Sequence, residues 1–194
     1  QELNVRLPDG YTMFVEPVGD EGLPLMVLHG GPGLDHKHLR PWLDPLGEEF
    51  RVFYVDERGQ GQSERVDPAT LSLEAFARDV DLLAEALELD RFALLGHSFG
   101  AIITTWHAIN LGTAAGYVIS GGGDSSGPLM ADVEASLEAM GEAGKPIAES
   151  WEWEKTVETS EDCAELMRVQ NPFHFHGPPP PGFADDTAFT PEVL

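Results

Sequence analysis

The residues best suited to covalent chemistry lie in Gly96–Gly100, which reads Gly-His-Ser-Phe-Gly. A serine between glycines at this spacing can occupy a sharp turn from a strand into a helix, because glycine adds no side chain where the backbone doubles back. Such a turn lifts the serine hydroxyl above the carboxyl edge of a parallel sheet. It also points the first N–H groups of the helix at the atom that the serine attacks. The spacing therefore predicts that Ser98 is a nucleophile in acyl transfer.

The residues that flank this turn decide how specific the pattern is. A Gly-x-Ser-x-Gly pattern alone is weak evidence, and a glycine-flanked turn with an ordinary serine is the alternative. Here Arg91–Leu95 reads as an apolar strand before the turn, and Ile102–Trp106 reads as a helix after it. This order of strand, turn and helix favours the nucleophile.

Acyl transfer also needs hydrogen-bond donors where the carbonyl oxygen becomes negative. The backbone N–H of Phe99, the residue after the nucleophile, is one expected donor. A second is expected from His29–Gly33, a His-Gly-Gly-Pro-Gly loop that follows the apolar run Leu25–Leu28. Glycines let the backbone approach the oxyanion, and each donor would contribute about 3 kcal/mol to the transition state. A tight loop that merely turns the chain is the alternative.

The elements that must position these groups follow an alternating pattern. Leu3–Leu7 and Tyr11–Val18 predict an antiparallel hairpin, joined by the turn residues Pro-Asp-Gly. Short continuous apolar runs predict strands buried on both faces. They are Leu25–Leu28, Val52–Val55, Phe92–Leu95 and Tyr117–Ser120. Helices are expected between them, one of them capped by Ser72 and a proline-interrupted one over His36–Glu49. The pattern predicts an α/β fold with a mostly parallel sheet.

The character of the chain changes near residue 123. From Ser125 to Gln170 the sequence reads as acidic helical segments with scattered apolar residues, and Pro178–Pro181 cannot be helical in its interior. We therefore expect residues 1–123 to form the N-terminal part of the core. Residues 124–194 are expected to form a helical cap and the start of the return to the core.

Composition limits the possible partners. Thirty-four acidic residues against 11 basic ones give a formal net charge of −23, which repels nucleic acid and anionic membranes and favours amine-bearing ligands. Neither nucleic acid nor a membrane is therefore expected as a partner. The single cysteine, Cys163, excludes an internal disulfide and suits a cytoplasmic location. No residue spacing suggests a metal site, and no cofactor is expected.

Three motifs resemble the α/β-hydrolase fold, and within it the proline iminopeptidase branch. They are His29–Gly33, the Asp-Glu-Arg-Gly-Gln-Gly-Gln-Ser loop Asp56–Ser63, and Gly96–Gly100. The chain departs from the branch at two places. Glu57 stands where the branch usually has glutamine. The serine turn of the branch usually reads Gly-Gly-Ser-Trp-Gly, whereas this chain has His97 and Phe99 on either side of the serine. The resemblance implies a serine hydrolase that forms an acyl-enzyme and releases an N-terminal residue from small peptides. An ester or amide hydrolase of the same fold is the alternative.

The resemblance also implies roles for further residues. It makes the N–H of Gly31 the second oxyanion donor. It suggests that Glu154 binds the substrate amine beside Trp153, since the branch carries a Trp-Glu pair in its cap. The alternative for Ser150–Glu154 is an amphipathic cap helix with Trp151 or Trp153 packed inward and its glutamates in water.

The acid and base of a serine triad follow the nucleophile along the chain in this fold. Asp124, His174 and His176 have the right order, but both histidines lie in a proline-rich cap segment and not after a core strand. We therefore expect the triad acid and histidine outside this chain, together with the C-terminal strands of the sheet. A C-terminal segment of the same protein, continuous or as a second chain, would supply them. A non-catalytic binding scaffold is the alternative if the chain is complete.

Overall fold

A six-stranded sheet forms the centre of the molecule. The computed structural model describes residues 2–122, 126–183 and 187–193. The strands are β1 (Leu3–Arg6), β2 (Thr12–Val18), β3 (Leu23–Leu28), β4 (Phe50–Val55), β5 (Ala93–His97) and β6 (Gly116–Ser120). Their order across the sheet is β1-β2-β4-β3-β5-β6. β2 is antiparallel to both β1 and β4, whereas the pairings among β3, β4, β5 and β6 are parallel. The mostly parallel sheet and its N-terminal antiparallel hairpin are thus confirmed.

Alternate residues of the central strands pack on opposite faces of the sheet. In β3, Leu25 and Val27 join one buried cluster, and Met26 and Leu28 join the other. This is the period of two that a strand imposes. The helices α1 (Leu73–Ala86) and α2 (Phe99–Asn110) cover the Met26 face. Burial on both faces explains why these strands read as continuous apolar runs.

Helix α1 begins where the sequence predicts. The Ser72 hydroxyl accepts a hydrogen bond from the Ala75 N–H at 3.1 Å, which satisfies one of the free donors of the first turn. Phe76, Val80 and Leu83 recur at helical spacing and are all buried in the main core.

The predicted helix over His36–Glu49 was wrong. This segment contains two short 3₁₀ turns, His36–His38 and Asp44–Glu48. Pro41 and Pro45 lack the backbone N–H that a continuous helix needs. The Asp35 carboxylate instead accepts the Lys37 N–H and caps the first turn.

Three helices follow the sheet: α3 (Ser126–Ala139), α4 (Lys145–Glu154) and α5 (Ser160–His174). Helices α4 and α5 pack together, with the rings of Trp151 and Phe173 edge to face at 5.7 Å. The predicted boundary at residues 123 and 124 lies outside the described residues, as does Asp124. The division into a core and a cap stays a prediction.

Strand β6 forms one edge of the sheet, and its outer side is apolar. The exposed fractions are 50% for Val118 and 48% for Ile119, and Ile102 of α2 is 40% exposed. Across the described ranges, no helix has both the length and the apolarity to cross a membrane. The cytoplasmic location stays a prediction.

Candidate active site

Ser98 lies in a strained turn between β5 and α2. Its φ of 53° and ψ of −113° are unusual for a residue with a side chain, and such a conformation costs on the order of 1–3 kcal/mol. Two hydrogen bonds hold the turn: the Ser98 N–H donates to the Ser120 carbonyl, and the Gly100 N–H donates to the His29 carbonyl, both at 2.9 Å. The turn thereby places Ser98 at the carboxyl ends of β3, β5 and β6.

Both glycines of the turn are required by close contacts. A Cβ atom on Gly96 would collide with the Gly100 carbonyl oxygen and with Thr104 Oγ1. A Cβ on Gly100 would lie 2.5 Å from the Leu28 carbonyl oxygen. The Gly-x-Ser-x-Gly spacing is therefore a packing requirement of this turn.

The glycine loop after β3 lies directly against Ser98. A Cβ on Gly30 would be 3.2 Å from the Ser98 Cβ, and Gly31 has a φ of +123°. The Gln60 side-chain oxygen accepts the Gly33 N–H at 2.6 Å. Among the hydrogen bonds of the described residues, none uses the Gly31 N–H or the Phe99 N–H. Neither N–H group is therefore committed to a hydrogen bond within the described residues.

A network of charged side chains surrounds His36, in the segment that follows this loop. Asp56 Oδ1 accepts hydrogen bonds from the His36 backbone N–H at 3.0 Å and from His36 Nδ1 at 2.7 Å. His36 Nε2 lies 2.8 Å from Glu16 Oε2, and Glu16 also pairs with Arg40. Burial opposes the charge on His36, but the hydrogen bonds to Asp56 and Glu16 outweigh it and raise the pKa of His36. His36 is thus a charged link between two carboxylates.

Glu57 is a buried acid beside this network. Burial and the neighbouring charge of Asp56 raise the pKa of Glu57 well above its usual range. Gln60 Nε2 donates to Glu57 Oε2 at 3.2 Å. Its other oxygen, Oε1, has no hydrogen-bond partner among the described residues.

Asp56 and Arg58 hold their loop separately and do not pair with each other. Arg58 Nη2 donates to Asp79 at 2.6 Å and to Asp9 at 2.7 Å. These contacts tie the loop to α1 and to the turn between β1 and β2. Each of the two residues thus has its own partners.

A cleft of about 540 Å³ lies between Ser98, the glycine loop and helices α4 and α5. Gly31, Ser98 and Glu154 all line it, so the structure brings these three predicted residues to one place. Most of the remaining wall is apolar or aromatic. It includes Leu34, Trp42, Trp151, Met167, Phe175, Phe183 and Phe189. Glu154 is the one formally charged side chain that the described residues contribute to this wall, and Gln170 Nε2 lies 3.4 Å from its Oε2.

The structure separates the two predicted cap residues. Trp153 packs against a cluster formed by Val157, Cys163 and Leu166, and it does not line the cleft. Trp151 lines the cleft instead, because residues three apart on a helix share a face and Trp151 is three before Glu154. The helical spacing would have been the signal for Trp151.

Several histidines surround the nucleophile, and none of them contacts its hydroxyl. His38, His97 and His174 line the cleft, and His97 Nδ1 lies 3.2 Å from Ser120 Oγ. In the part of the chain that the structure describes, no imidazole or carboxylate forms a hydrogen bond with Ser98 Oγ. The described side chains also form no group of three that could hold a metal ion. His38 was not expected in the site, since nothing in its local sequence marks it.

After helix α5 the chain returns to the glycine loop. The Thr190 N–H donates to the Gly33 carbonyl at 2.6 Å, and the Ala188 N–H donates to Asp35 Oδ2 at 3.0 Å. Burial raises the pKa of Asp35 to about 6. These long-range contacts close one side of the cleft.

Comparison with known proteins identifies relatives of the chain. A proline iminopeptidase of Xanthomonas citri is 32% identical over 123 residues, which cover 60% of this chain and 37% of that protein. The crystal structure of a proline iminopeptidase-related protein from Thermus thermophilus is 40% identical over 60% of this chain and 42% of that one, with a TM-score of 0.56. The matched part of the chain thus spans well under half of either relative.

A third comparison covers nearly the whole chain. The crystal structure of a proline iminopeptidase from Mycobacterium smegmatis covers 95% of this chain and 65% of its own, with a TM-score of 0.70 and 21% identity. At this identity the likeness concerns the fold alone. The α/β hydrolase fold family matches residues 24–132, which is more than half of the 194 residues and includes all three motifs. The chain therefore belongs to the α/β hydrolase fold family and is similar to its proline iminopeptidase branch.

Proposed function

We propose that the chain carries the nucleophile and oxyanion donors of a serine hydrolase that works through an acyl-enzyme. The observation that carries the proposal is the strained turn at Ser98. Two uncommitted N–H groups support it: that of Phe99, the next residue in the chain, and that of Gly31, which lines the same cleft as Ser98. Strain of this kind persists where the surrounding structure over-determines it, and it clusters at active sites. Attack by Ser98 Oγ on a carbonyl carbon would form a tetrahedral oxyanion that these donors stabilise. A non-catalytic scaffold would have no use for the strain.

The proposed substrate is a small peptide with a free N-terminal amine. The cleft is mostly apolar, and Glu154, the one formal charge among its described lining residues, suits a cationic amine. Similarity to proline iminopeptidases supports an aminopeptidase that releases the N-terminal residue. The departures at His97 and Phe99 in the nucleophile turn favour an ester or amide hydrolase as the second candidate. We take Trp151, and not Trp153, as the aromatic wall beside Glu154.

We further propose that polypeptide outside these 194 residues supplies the triad acid and histidine. The apolar outer side of β6 supports this proposal, because a sheet edge with exposed Val118 and Ile119 is suited to pairing with further strands. The matched relatives are also longer than the matched segment. The partner would be a C-terminal segment of the same protein, continuous or as a second chain.

A fluorophosphonate probe tests the nucleophile. The assembled protein should be labelled at Ser98, and Ser98→Ala should lose the label and lower turnover by roughly 10⁶. Ser120→Ala is the matched control, because Ser120 is next to the site and exposed on β6. Labelling that survives in Ser98→Ala, or appreciable residual turnover, would refute the proposal.

A further inference from the structure

Two buried imidazoles hold the peptide groups on either side of the Gly30 Cα atom. The His29 Nδ1–H donates to the Gly30 carbonyl at 2.6 Å. The Gly30 N–H donates to His38 Nε2 at 3.3 Å. Both rings are shielded from solvent, with exposed fractions of 0% for His29 and 6% for His38.

The first of these bonds sets the direction of the Gly31 N–H. The Gly30 carbonyl and the Gly31 N–H belong to one planar trans peptide unit, in which the two groups point in opposite directions. Because His29 holds the Gly30 carbonyl on one side of this peptide plane, the Gly31 N–H points to the opposite side. The second bond fixes the preceding peptide unit, so the backbone at Gly30 cannot rotate on either side.

Each ring is restricted to one neutral tautomer by its other contact. His38 Nδ1–H donates to the Asp35 carbonyl at 2.6 Å, so its Nε2 is free to accept the Gly30 N–H. His29 Nε2 accepts the Glu57 N–H at 3.3 Å, so its Nδ1 carries the proton. Burial lowers the pKa of both histidines, that of His38 to about 3. Neutral rings with one donor and one acceptor satisfy all four backbone groups.

We propose that His38, with His29, is a positioning residue that fixes the Gly31 N–H as an oxyanion donor. The inference rests on the proposed function. Glycines at positions 30, 31 and 33 leave the loop free to adopt several backbone conformations. A donor stabilises an oxyanion only when it is held in place before the reaction. The imidazole pair supplies this rigidity in a loop whose own sequence does not.

Substitution of His38 tests the proposal on the assembled protein, with the arylamide or ester that the wild type turns over fastest. His38→Ala should lower kcat by roughly 10- to 100-fold, because a displaced donor loses much of its effect. KM should change less than about twofold, since the donor acts on the transition state. His38→Gln should regain part of kcat, because the glutamine oxygen can accept the Gly30 N–H.

His107→Gln is the matched control. His107 is also fully buried, but it contacts Asp81 and Tyr117 on the far side of α2. It should leave kcat within about twofold if it folds. The positioning role would be overturned if His38→Ala left kcat unchanged. It would also be overturned if His38→Gln or His107→Gln lowered kcat as much as His38→Ala does. A wild type that neither turns over substrate nor takes the fluorophosphonate label would instead refute the proposed function.

Nitrogen NMR of the wild-type side chains keeps the inference testable if the variants do not fold. The His38 ring should show a proton on Nδ1, none on Nε2, and no titration between pH 5 and pH 8. A ring that titrates near pH 6.5, or one protonated at Nε2, would overturn the proposal.

Discussion

At the scale of the residue, Glu154 is the feature that distinguishes this cleft from a purely apolar one. It ends helix α4 beside Trp151 and faces the same cleft as Ser98. A carboxylate in a partly enclosed apolar wall attracts a cation more strongly than one in water, because less solvent screens the pair. A ligand with a free amine would gain from this placement, and an anionic ligand would be repelled.

Glu154→Gln should therefore raise KM for an unblocked prolyl or alanyl arylamide by roughly 30-fold. This corresponds to about 2 kcal/mol, between the values for exposed and for buried ion pairs. KM for a neutral ester should change little. Glu152→Gln is the control, because Glu152 is exposed on the same helix and pairs with Lys155 at 2.7 Å. Equal effects on the amine and the ester, or a preference for an N-acylated substrate, would place the protein with the ester hydrolases.

At the scale of the element, the junction of β5 and α2 is closely packed. The strand and the helix approach so closely at Gly96 that no side chain fits between them. The hydrogen bonds from Ser98 and Gly100 also tie the junction to the ends of β6 and β3. Its shape is therefore set by backbone contacts from three strands.

Gly96→Ala should destabilise the protein by about 3 kcal/mol or more, because backbone atoms must move to admit the methyl group. Urea unfolding measures the effect. Gly116→Ala in β6 is the control, since a Cβ there meets no atom within 4 Å, and its effect should stay within about 0.5 kcal/mol. Similar losses in both variants would show that Gly96 is not specially constrained.

At the scale of the whole molecule, the His36 network joins parts of the chain that are distant in sequence. It connects β2 through Glu16, the end of β4 through Asp56 and the segment after the glycine loop through His36 and Arg40. Asp35 also faces His36, and the rings of Phe14 and Tyr54 pack beside it. The pKa of Asp56 is lowered by the hydrogen bond from His36, in spite of its burial.

The raised pKa of His36 predicts a stability contribution that depends on pH. This contribution is fully present at a pH below the pKa of about 6.5 that His36 has in the unfolded chain. It is lost as the pH rises through the higher pKa that His36 has in the folded protein. The free energy of unfolding that His36→Gln removes should thus be larger at pH 6 than at pH 9. Phe14→Leu is the control, because it changes the ring stacked on His36 at 5.6 Å but removes no charge. It should lower the free energy of unfolding by the same amount at pH 6 and at pH 9. A pH-independent loss in His36→Gln would contradict the charged link.

The apolar edge at β6 predicts that the active protein contains more polypeptide than these residues. Intact-mass analysis of the native protein, combined with activity, should find additional mass, as a longer chain or as a second one. A single, fully active species near 21.1 kDa would contradict this prediction and would require a base for Ser98 from within the chain.

Much of this fold could be predicted from the sequence because it depends on neighbours along the chain. Local sterics and short hydrogen bonds act on three such features. They are the apolar run before Ser98, the two glycines around it and the helix N-cap at Ser72. The same reasoning failed over His36–Glu49, where helical spacing was overridden by two prolines and by contacts of His36 with distant carboxylates.

Only the tertiary structure decided which side chains share the cleft with Ser98. Helical spacing groups Trp151 with Glu154, but only the packing of α4 on α5 puts this helix face, and not that of Trp153, in the wall of the cleft. His38 reaches Gly30, Gln60 reaches Gly33, and Thr190 returns to the same loop over more than 150 residues. Local sequence carries no signal for such contacts, because they form only once separate elements have packed against one another.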